Sequence, residues 1–268
     1  MAIDTTAYQT SEAPSWEETL SKVPRVTLVF WVVKVLATTL GETGGDALSM
    51  QLNLGYAVST LIFLGFFIVT LIAQVGSGHY HPVFYWAVVV ATTTVGTTTS
   101  DYIDRTLKVG YVRSSFSLLA LVIIILVVWR VTTGRIVVDR VTNRTDEVFY
   151  WVTILVSNTL GTALGDYVAD TLGFGFERGA LIFTALILIV AGLHFFSRLP
   201  TSVTFWAAYV LTRPLGATLG DLLTKPNAQG GLNISRIAAS VAIAVLMVVM
   251  VAATGLRKRA PRSTVPVA

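Results

Sequence analysis

Residues 30–55, FWVVKVLATTLGETGGDALSMQLNLG, contain the pattern from which the rest of the chain is built. An aromatic–Trp pair is followed after ten residues by Gly, after five more by Asp and after nine more by Gly. The same spacing recurs at Trp86, Trp151 and Trp206. Because a fixed spacing indicates one supersecondary unit copied in tandem, the sequence predicts four repeats. Their approximate boundaries are residues 23–78, 79–133, 145–198 and 199–255.

The composition is typical of a membrane protein. Hydrophobic residues make up 54% of the chain and charged residues 13%, with a mean hydropathy of +0.71. A soluble domain of this length cannot bury that much apolar surface. Each repeat contains two apolar runs, and about 20 residues of helix cross the roughly 30 Å hydrocarbon core of a bilayer. We therefore expect an all-α polytopic fold, with eight transmembrane helices in a single domain of residues 23–256.

The two helices of each repeat differ in character. The predicted first helices cover residues 28–50, 84–103, 149–169 and 204–223, and the second helices residues 56–75, 116–131, 180–196 and 234–253. The first helices carry pairs of small residues spaced i, i+4, which let neighbouring backbones approach closely. These pairs are Gly41/Gly45, Gly96/Ser100, Gly161/Gly165 and Gly216/Gly220. Because the second helices are apolar all round, we expect the first helices at the centre and the second helices facing lipid.

The charges outside the helices predict the orientation. An even number of spans places both termini on one side, and that side carries more Lys and Arg than the other. By the positive-inside rule, both termini are cytoplasmic. Residues 1–22 form a polar segment without the apolar stretch of a signal peptide. Residues 257–268 form a basic tail expected to touch lipid head groups rather than nucleic acid.

A second, polar stripe lies about 100° round each first helix from the small residues. In the first repeat it contains Thr39, Glu42 and Asp46 at i, i+3, i+7 spacing. The Asp is fifteen residues from the Trp, or about 22 Å along a helix, so a Trp at the membrane interface places the Asp inside the bilayer. A carboxylate facing lipid there costs at least about 2.5–3.5 kcal/mol. We therefore expect the acidic residues to turn inward and share one site.

Ten residues are predicted to form this site. The binding residues are Glu42, Asp46, Asp101, Asp166, Asp221, Thr39, Thr94 and Thr97, with Lys34 and Arg213 as counter-ions inside the helices. The predicted metal ligands are Glu42, Asp46, Asp101 and Asp166. An alternative remains for each Asp taken alone, since it could mark a helix end or cap the next helix in an interfacial loop.

The residue types favour transport of a small hard cation. Carboxylate and hydroxyl oxygens, in a chain with no Cys and three His, suit Mn²⁺ or Mg²⁺ better than Cu⁺ or Zn²⁺. Protons are the expected coupling ion. The motifs of hydrolases, nucleotide-binding proteins and zinc proteases do not occur, so we expect neither an enzyme nor a resident cofactor. A proton-coupled carrier of a small organic solute and a non-transporting scaffold or regulator are the alternatives, and homo-oligomerisation stays open.

Four tandem two-helix units containing Trp31, Trp86, Trp151 and Trp206 resemble a bacterial membrane-protein family known mainly as a repeat of unknown function. Some members of that family are labelled membrane-anchored regulators of a starch-degrading enzyme. The resemblance extends over residues 23–256 and implies an eight-span protein of the bacterial inner membrane. It implies no particular activity for this chain.

Overall fold

The computed structural model describes residues 22–77, 80–136, 141 and 143–259, without the side chains of residues 255–259. Most of the predicted N-terminal segment and the end of the basic tail therefore lie outside the described residues. The described residues form eight α-helices, two per repeat. They are α1 (Leu28–Asp46), α2 (Gly55–Gly76), α3 (Pro82–Asp101), α4 (Tyr111–Thr133), α5 (Arg144–Asp166), α6 (Gly175–Phe196), α7 (Thr201–Thr224) and α8 (Arg236–Arg259). The predicted all-α fold is confirmed.

The motif Asp marks a change of helix type in three repeats. Helices α1, α3 and α5 continue directly into π-helical turns at Ala47–Gln51, Tyr102–Thr106 and Tyr167–Thr171. In the fourth repeat α7 ends at Thr224, because Pro226 soon follows and cannot continue a helix. The closing Gly residues have positive φ angles of 74° at Gly55, 87° at Gly110, 73° at Gly175 and 83° at Gly230. Gly adopts this conformation without steric cost, which explains the last position of the motif.

The four first helices, α1, α3, α5 and α7, form a closed ring and are called the core helices. Each packs against the next in chain order, and α7 packs against α1. The outer helices α2, α4 and α6 each pack against the core helix of the following repeat. Helix α8 packs against α1, so the last repeat is joined to the first in the same way that the others are joined to each other.

The motif Gly residues allow the core helices to touch. A Cβ atom on Gly41 would lie 2.2 Å from Thr93 Oγ1, and one on Gly216 would lie 2.2 Å from Thr38 Oγ1. A Cβ atom on Gly161 would lie 2.2 Å from Arg213 Cγ. No side chain larger than hydrogen fits at these distances. The prediction that the Gly-striped helices occupy the centre is confirmed.

Among the described residues, five helices are long and apolar enough to cross a membrane. They are α2, α4, α5 together with its π-helical turn, α6 and the Arg236–Thr254 part of α8. The outer helices expose large apolar side chains, among them Leu61, Ile72 and Val131 at 67–79% of their surface. Apolar surface this extensive is typical of contact with lipid or a partner. Core helices α1, α3 and α7 are more polar, and other helices cover much of their surface, so little of it would meet lipid.

Aromatic side chains close the ring at the end where the core helices begin. Each motif Phe or Tyr contacts the Trp of the next repeat. The pairs are Phe30 with Trp86, Tyr85 with Trp151, Tyr150 with Trp206 and Phe205 with Trp31, at centroid distances of 5.6–5.8 Å. We call these eight residues the aromatic collar. Trp86, Trp151 and Trp206 are buried in contacts between helices.

Candidate functional site

The ring places equivalent residues of the four repeats at the same level along its axis. The motif residues Asp46, Asp101, Asp166 and Asp221 are all buried, and we call them the acidic layer. One turn before them in each core helix lie Glu42, Thr97, Thr162 and Ala217. A further turn back lie Thr38, Thr93, Asn158 and Arg213. The core is therefore polar at three successive levels, although the four repeats contribute different side chains to two of them.

Arg213 joins all four core helices. It stands where the other repeats have Thr or Asn, and its side chain is fully buried. Its Nη2 lies 3.0 Å from Glu42 Oε2 on α1, 2.5 Å from Thr97 Oγ1 on α3 and 2.6 Å from Thr162 Oγ1 on α5. The two N–H bonds of this group are shared among the three acceptors. We call the contact between Arg213 and Glu42 the Arg213–Glu42 pair. It lies one turn from the acidic layer, on the side of the aromatic collar. The prediction that Arg213 pairs with a carboxylate is confirmed.

Two basic residues at equivalent positions neutralise part of the acidic layer. Arg105 lies 2.9 Å from Asp101 Oδ1 through its Nε and 3.1 Å from Asp166 Oδ2 through its Nη2. It therefore joins the second repeat to the third. The Arg105 Nε contact is an ion pair by distance without hydrogen-bond geometry.

Lys225 makes the corresponding contacts on the other side of the ring. Its Nζ lies 3.2 Å from Asp221 Oδ1 and 3.7 Å from Asp46 Oδ2, which joins the fourth repeat to the first. Arg236, the first residue of α8, adds a contact of 3.4 Å from its Nε to Asp46 Oδ2. Asp46 is thus the carboxylate on which two cations from the last repeat meet.

Sequence reasoning missed Arg105 and Arg236, because both lie where the sequence predicts loops or helix ends. A signal for Arg105 exists, since it follows Asp101 by four residues as Lys225 follows Asp221, a spacing that places both on one helical face. Arg236 offers no such signal, because its partner Asp46 lies in the first repeat.

Three carboxylates approach closely enough to share one cation. Glu42, Asp46 and Asp221 each offer an oxygen within 4.8 Å of the other two, and all three residues are buried. We call them the acidic trio. Of the predicted metal ligands, Glu42 and Asp46 belong to the acidic trio, whereas Asp101 and Asp166 contact Arg105. Oxygen ligands in a buried cluster suit a hard cation such as Mg²⁺ or Mn²⁺.

The three predicted Thr residues differ in the groups that their hydroxyls contact. Thr97 Oγ1 lies 3.4 Å from Glu42 Oε2, and it also lies 3.1 Å from the carbonyl oxygens of Gly41 and Thr93. Thr39 and Thr94 instead donate to carbonyl oxygens of their own helices, to Val35 at 2.9 Å and to Val90 at 3.1 Å. Such bonds satisfy a hydroxyl in apolar surroundings, so neither Thr is a contributor to the trio in this structure.

Lys34 departs from the expected ion pair. It is fully buried, and its Nζ lies 4.2 Å from the centroid of the Tyr209 ring. Within the described part of the chain the Lys34 ammonium has no hydrogen-bond partner. The prediction that Lys34 lies inside the protein rather than at its surface is confirmed, but its contact is an aromatic ring and not a carboxylate.

Comparison with known proteins gives a family but no activity. Residues 29–80, 84–135, 149–199 and 204–260 each match the family model described as Repeat of Unknown Function (DUF347). These segments coincide with the four predicted repeats. No curated protein and no solved structure gives a significant match.

Proposed function

We propose, on the premise that this chain belongs to the Repeat of Unknown Function (DUF347) family, that it transports a small hard cation across a membrane. The description of the family states no activity, so the proposal depends on the site. The observation that carries it is the acidic trio, Glu42, Asp46 and Asp221, buried inside the ring with three oxygens within 4.8 Å of one another. A buried cluster of carboxylates is costly unless cations compensate it, and in this trio the compensating groups can exchange with an ion.

Lys225 acts as an internal substitute for the ion. Its Nζ lies near both Asp221 and Asp46 at 3.2 and 3.7 Å, the region that a divalent cation would occupy. Entry of the cation displaces the ammonium, and departure of the cation lets Lys225 return. The trio therefore never remains without a positive charge, which lowers the barrier to release as well as to binding.

Glu42 couples the trio to the Arg213–Glu42 pair. The same carboxylate is a ligand of the proposed cation and the partner of Arg213, whose Nη2 lies 3.0 Å from Glu42 Oε2. A cation that draws Glu42 toward Asp46 weakens the contact with Arg213, which joins all four core helices. Binding thereby loosens the closure on the side of the aromatic collar, as alternating access requires.

The aromatic residues favour a cation over an organic solute. An organic-solute carrier needs Trp and Tyr side chains around a pocket, whereas here Tyr85 and Tyr150 pack against Trp151 and Trp206 in the collar. Their hydroxyl groups hydrogen-bond to each other at 2.7 Å. We therefore place the cation-binding groups in the acidic trio.

We further propose eight spans in a bacterial inner membrane with both termini in the cytoplasm. The excess of Lys and Arg on the side of the termini supports a cytoplasmic position for that side. The lipid bilayer and the cation are the proposed partners.

Flux measurements test the proposal. In proteoliposomes with an imposed Mn²⁺ or Mg²⁺ gradient, we expect Asp46→Asn and Asp221→Asn to reduce uptake by about tenfold or more, the effect of losing about 1.4 kcal/mol of ion binding. Asp101→Asn is the matched control from the same layer, because Asp101 contacts Arg105 and lies outside the trio. Folded wild-type protein that carries neither ion would overturn the proposal, as would equal loss of flux in all three variants.

Removal of the internal competitor gives a second prediction. We expect Lys225→Met to tighten Mn²⁺ binding by about tenfold, since the trio then has no ammonium to displace. Binding is measured as the Mn²⁺ concentration that raises the unfolding temperature, which follows the occupancy of the native state. Arg105→Met removes the equivalent cation of the second repeat and should leave Mn²⁺ affinity unchanged. Weaker binding in Lys225→Met would show that Lys225 orders the trio instead of competing for it.

A further inference from the structure

Lys34 is a buried cation without an acceptor. Its side chain is fully buried, and the face of Tyr209, 4.2 Å from Nζ, covers one side of it. Within the described residues the three N–H bonds of the ammonium find no hydrogen-bond acceptor. An aromatic face compensates only part of the desolvation penalty of a buried ammonium. The described residues supply no acceptor that would keep Lys34 charged in these surroundings.

Further donors without acceptors lie beside it. Tyr209 and Arg213 are four residues apart on α7 and so share a face of that helix. The Tyr209 hydroxyl and the Arg213 Nε and Nη1 atoms are buried and have no hydrogen-bond partner in the described part of the chain. Three side chains thus present donors to one region, between the aromatic collar and the Arg213–Glu42 pair.

The charges of this region do not balance. Lys34 and Arg213 contribute two positive charges, and Glu42 Oε2, 3.0 Å from Arg213, contributes one negative charge. Glu42 belongs to the acidic trio and lies one turn beyond Arg213, and Lys34 makes no hydrogen bond to it. One negative charge is missing on the collar side of the pair.

We propose that Lys34, Tyr209 and Arg213 bind a small monovalent anion of halide type. The anion accepts from the ammonium, the phenol hydroxyl and the guanidinium, and it balances the second buried positive charge. The positions equivalent to Lys34 and Tyr209 in the second and third repeats are Val89 and Ile154, both fully buried. An apolar wall offers no further hydrogen bonds, which favours a weakly hydrated halide over a carboxylate or a polyvalent anion. The anion is a component additional to the transported cation.

Thermal unfolding tests the anion site without any cation gradient. In detergent at constant ionic strength, we expect chloride to raise the unfolding temperature of the wild type relative to gluconate, in a saturable way. Tyr209→Phe keeps the ring and removes one donor, so the chloride concentration for half of the effect should rise several-fold. Lys34→Met should abolish the effect. Arg178→Met, which removes an exposed positive charge on α6, is the matched control and should behave as the wild type.

Crystals soaked in bromide provide the second measurement. We expect an anomalous peak near Lys34 Nζ and Arg213 Nη1 in the wild type, and a weaker peak in Tyr209→Phe. Equal unfolding temperatures in chloride and gluconate, or the lack of a bromide peak, would overturn the proposal and leave water as the occupant. The comparison of wild type with Tyr209→Phe decides the question even if Lys34→Met does not fold.

Discussion

Replacement of Arg213 with Met is expected to destabilise the protein by about 3–5 kcal/mol, the cost of leaving one member of a buried ion pair alone. Glu42 is 3% exposed and cannot turn to solvent, and its Oε2 loses a donor at 3.0 Å. The Thr97 and Thr162 hydroxyl groups lose the same partner. Denaturant unfolding of the purified protein in detergent measures the change in the free energy of unfolding.

A double variant separates the charge from the packing. Addition of Glu42→Gln to Arg213→Met removes the uncompensated carboxylate, so we expect it to recover much of the lost stability. Arg178→Met, at an exposed position, should change stability by no more than about 0.5 kcal/mol. Strictly additive effects of the two core substitutions would contradict the assignment of Arg213 and Glu42 as a pair.

Addition of one methyl group at Gly216 is expected to cost about 3 kcal/mol, at the upper end for overpacking in a tightly packed core. The new Cβ of Gly216→Ala would lie 2.2 Å from Thr38 Oγ1 and 2.8 Å from the carbonyl carbon of Thr38. A hydroxyl can rotate away, but a backbone atom cannot, so α7 and α1 have to separate. The same unfolding experiment measures the loss.

Gly192→Ala is the matched control for this substitution. Gly192 lies inside α6, and a Cβ there would meet nothing within 4 Å. Since Ala is the better helix former by about 1 kcal/mol, this variant should be as stable as the wild type or more stable. If Gly216→Ala also proved neutral, the close contact between α1 and α7 would be wrong.

The central position of the core helices could be predicted from the sequence because its determinants repeat. The same spacing of Gly and Asp in every core helix places a small face and an acidic face at equivalent positions, and burial of the second face needs a common centre. The positions of Lys34 and Arg213 inside helices could be predicted from their distance to the motif residues. These features are local to one helix, so a single repeat contains the information for them.

The neighbours of each helix could not be predicted. Outer helices such as α2 and α6 are apolar on all sides, so no pattern on them distinguishes the core helix of their own repeat from that of the next. The choice between Asp101 and Asp221 as a member of the trio depends on the same information. Asp221 belongs to the repeat that packs against the first, and Lys225 lies near both Asp221 and Asp46. Asp101 pairs with Arg105 instead.

The closed ring has a consequence for the order of assembly. Arg213 follows Glu42 by 171 residues, and at about 5–20 residues per second a ribosome needs roughly ten to thirty seconds to make that stretch. Lys225 and Arg236, the partners of Asp46, are made later still. Helix α1 thus leaves the ribosome long before its counter-charges exist. Its counter-charges arrive only with the fourth repeat, and α8 of that repeat completes the environment of α1.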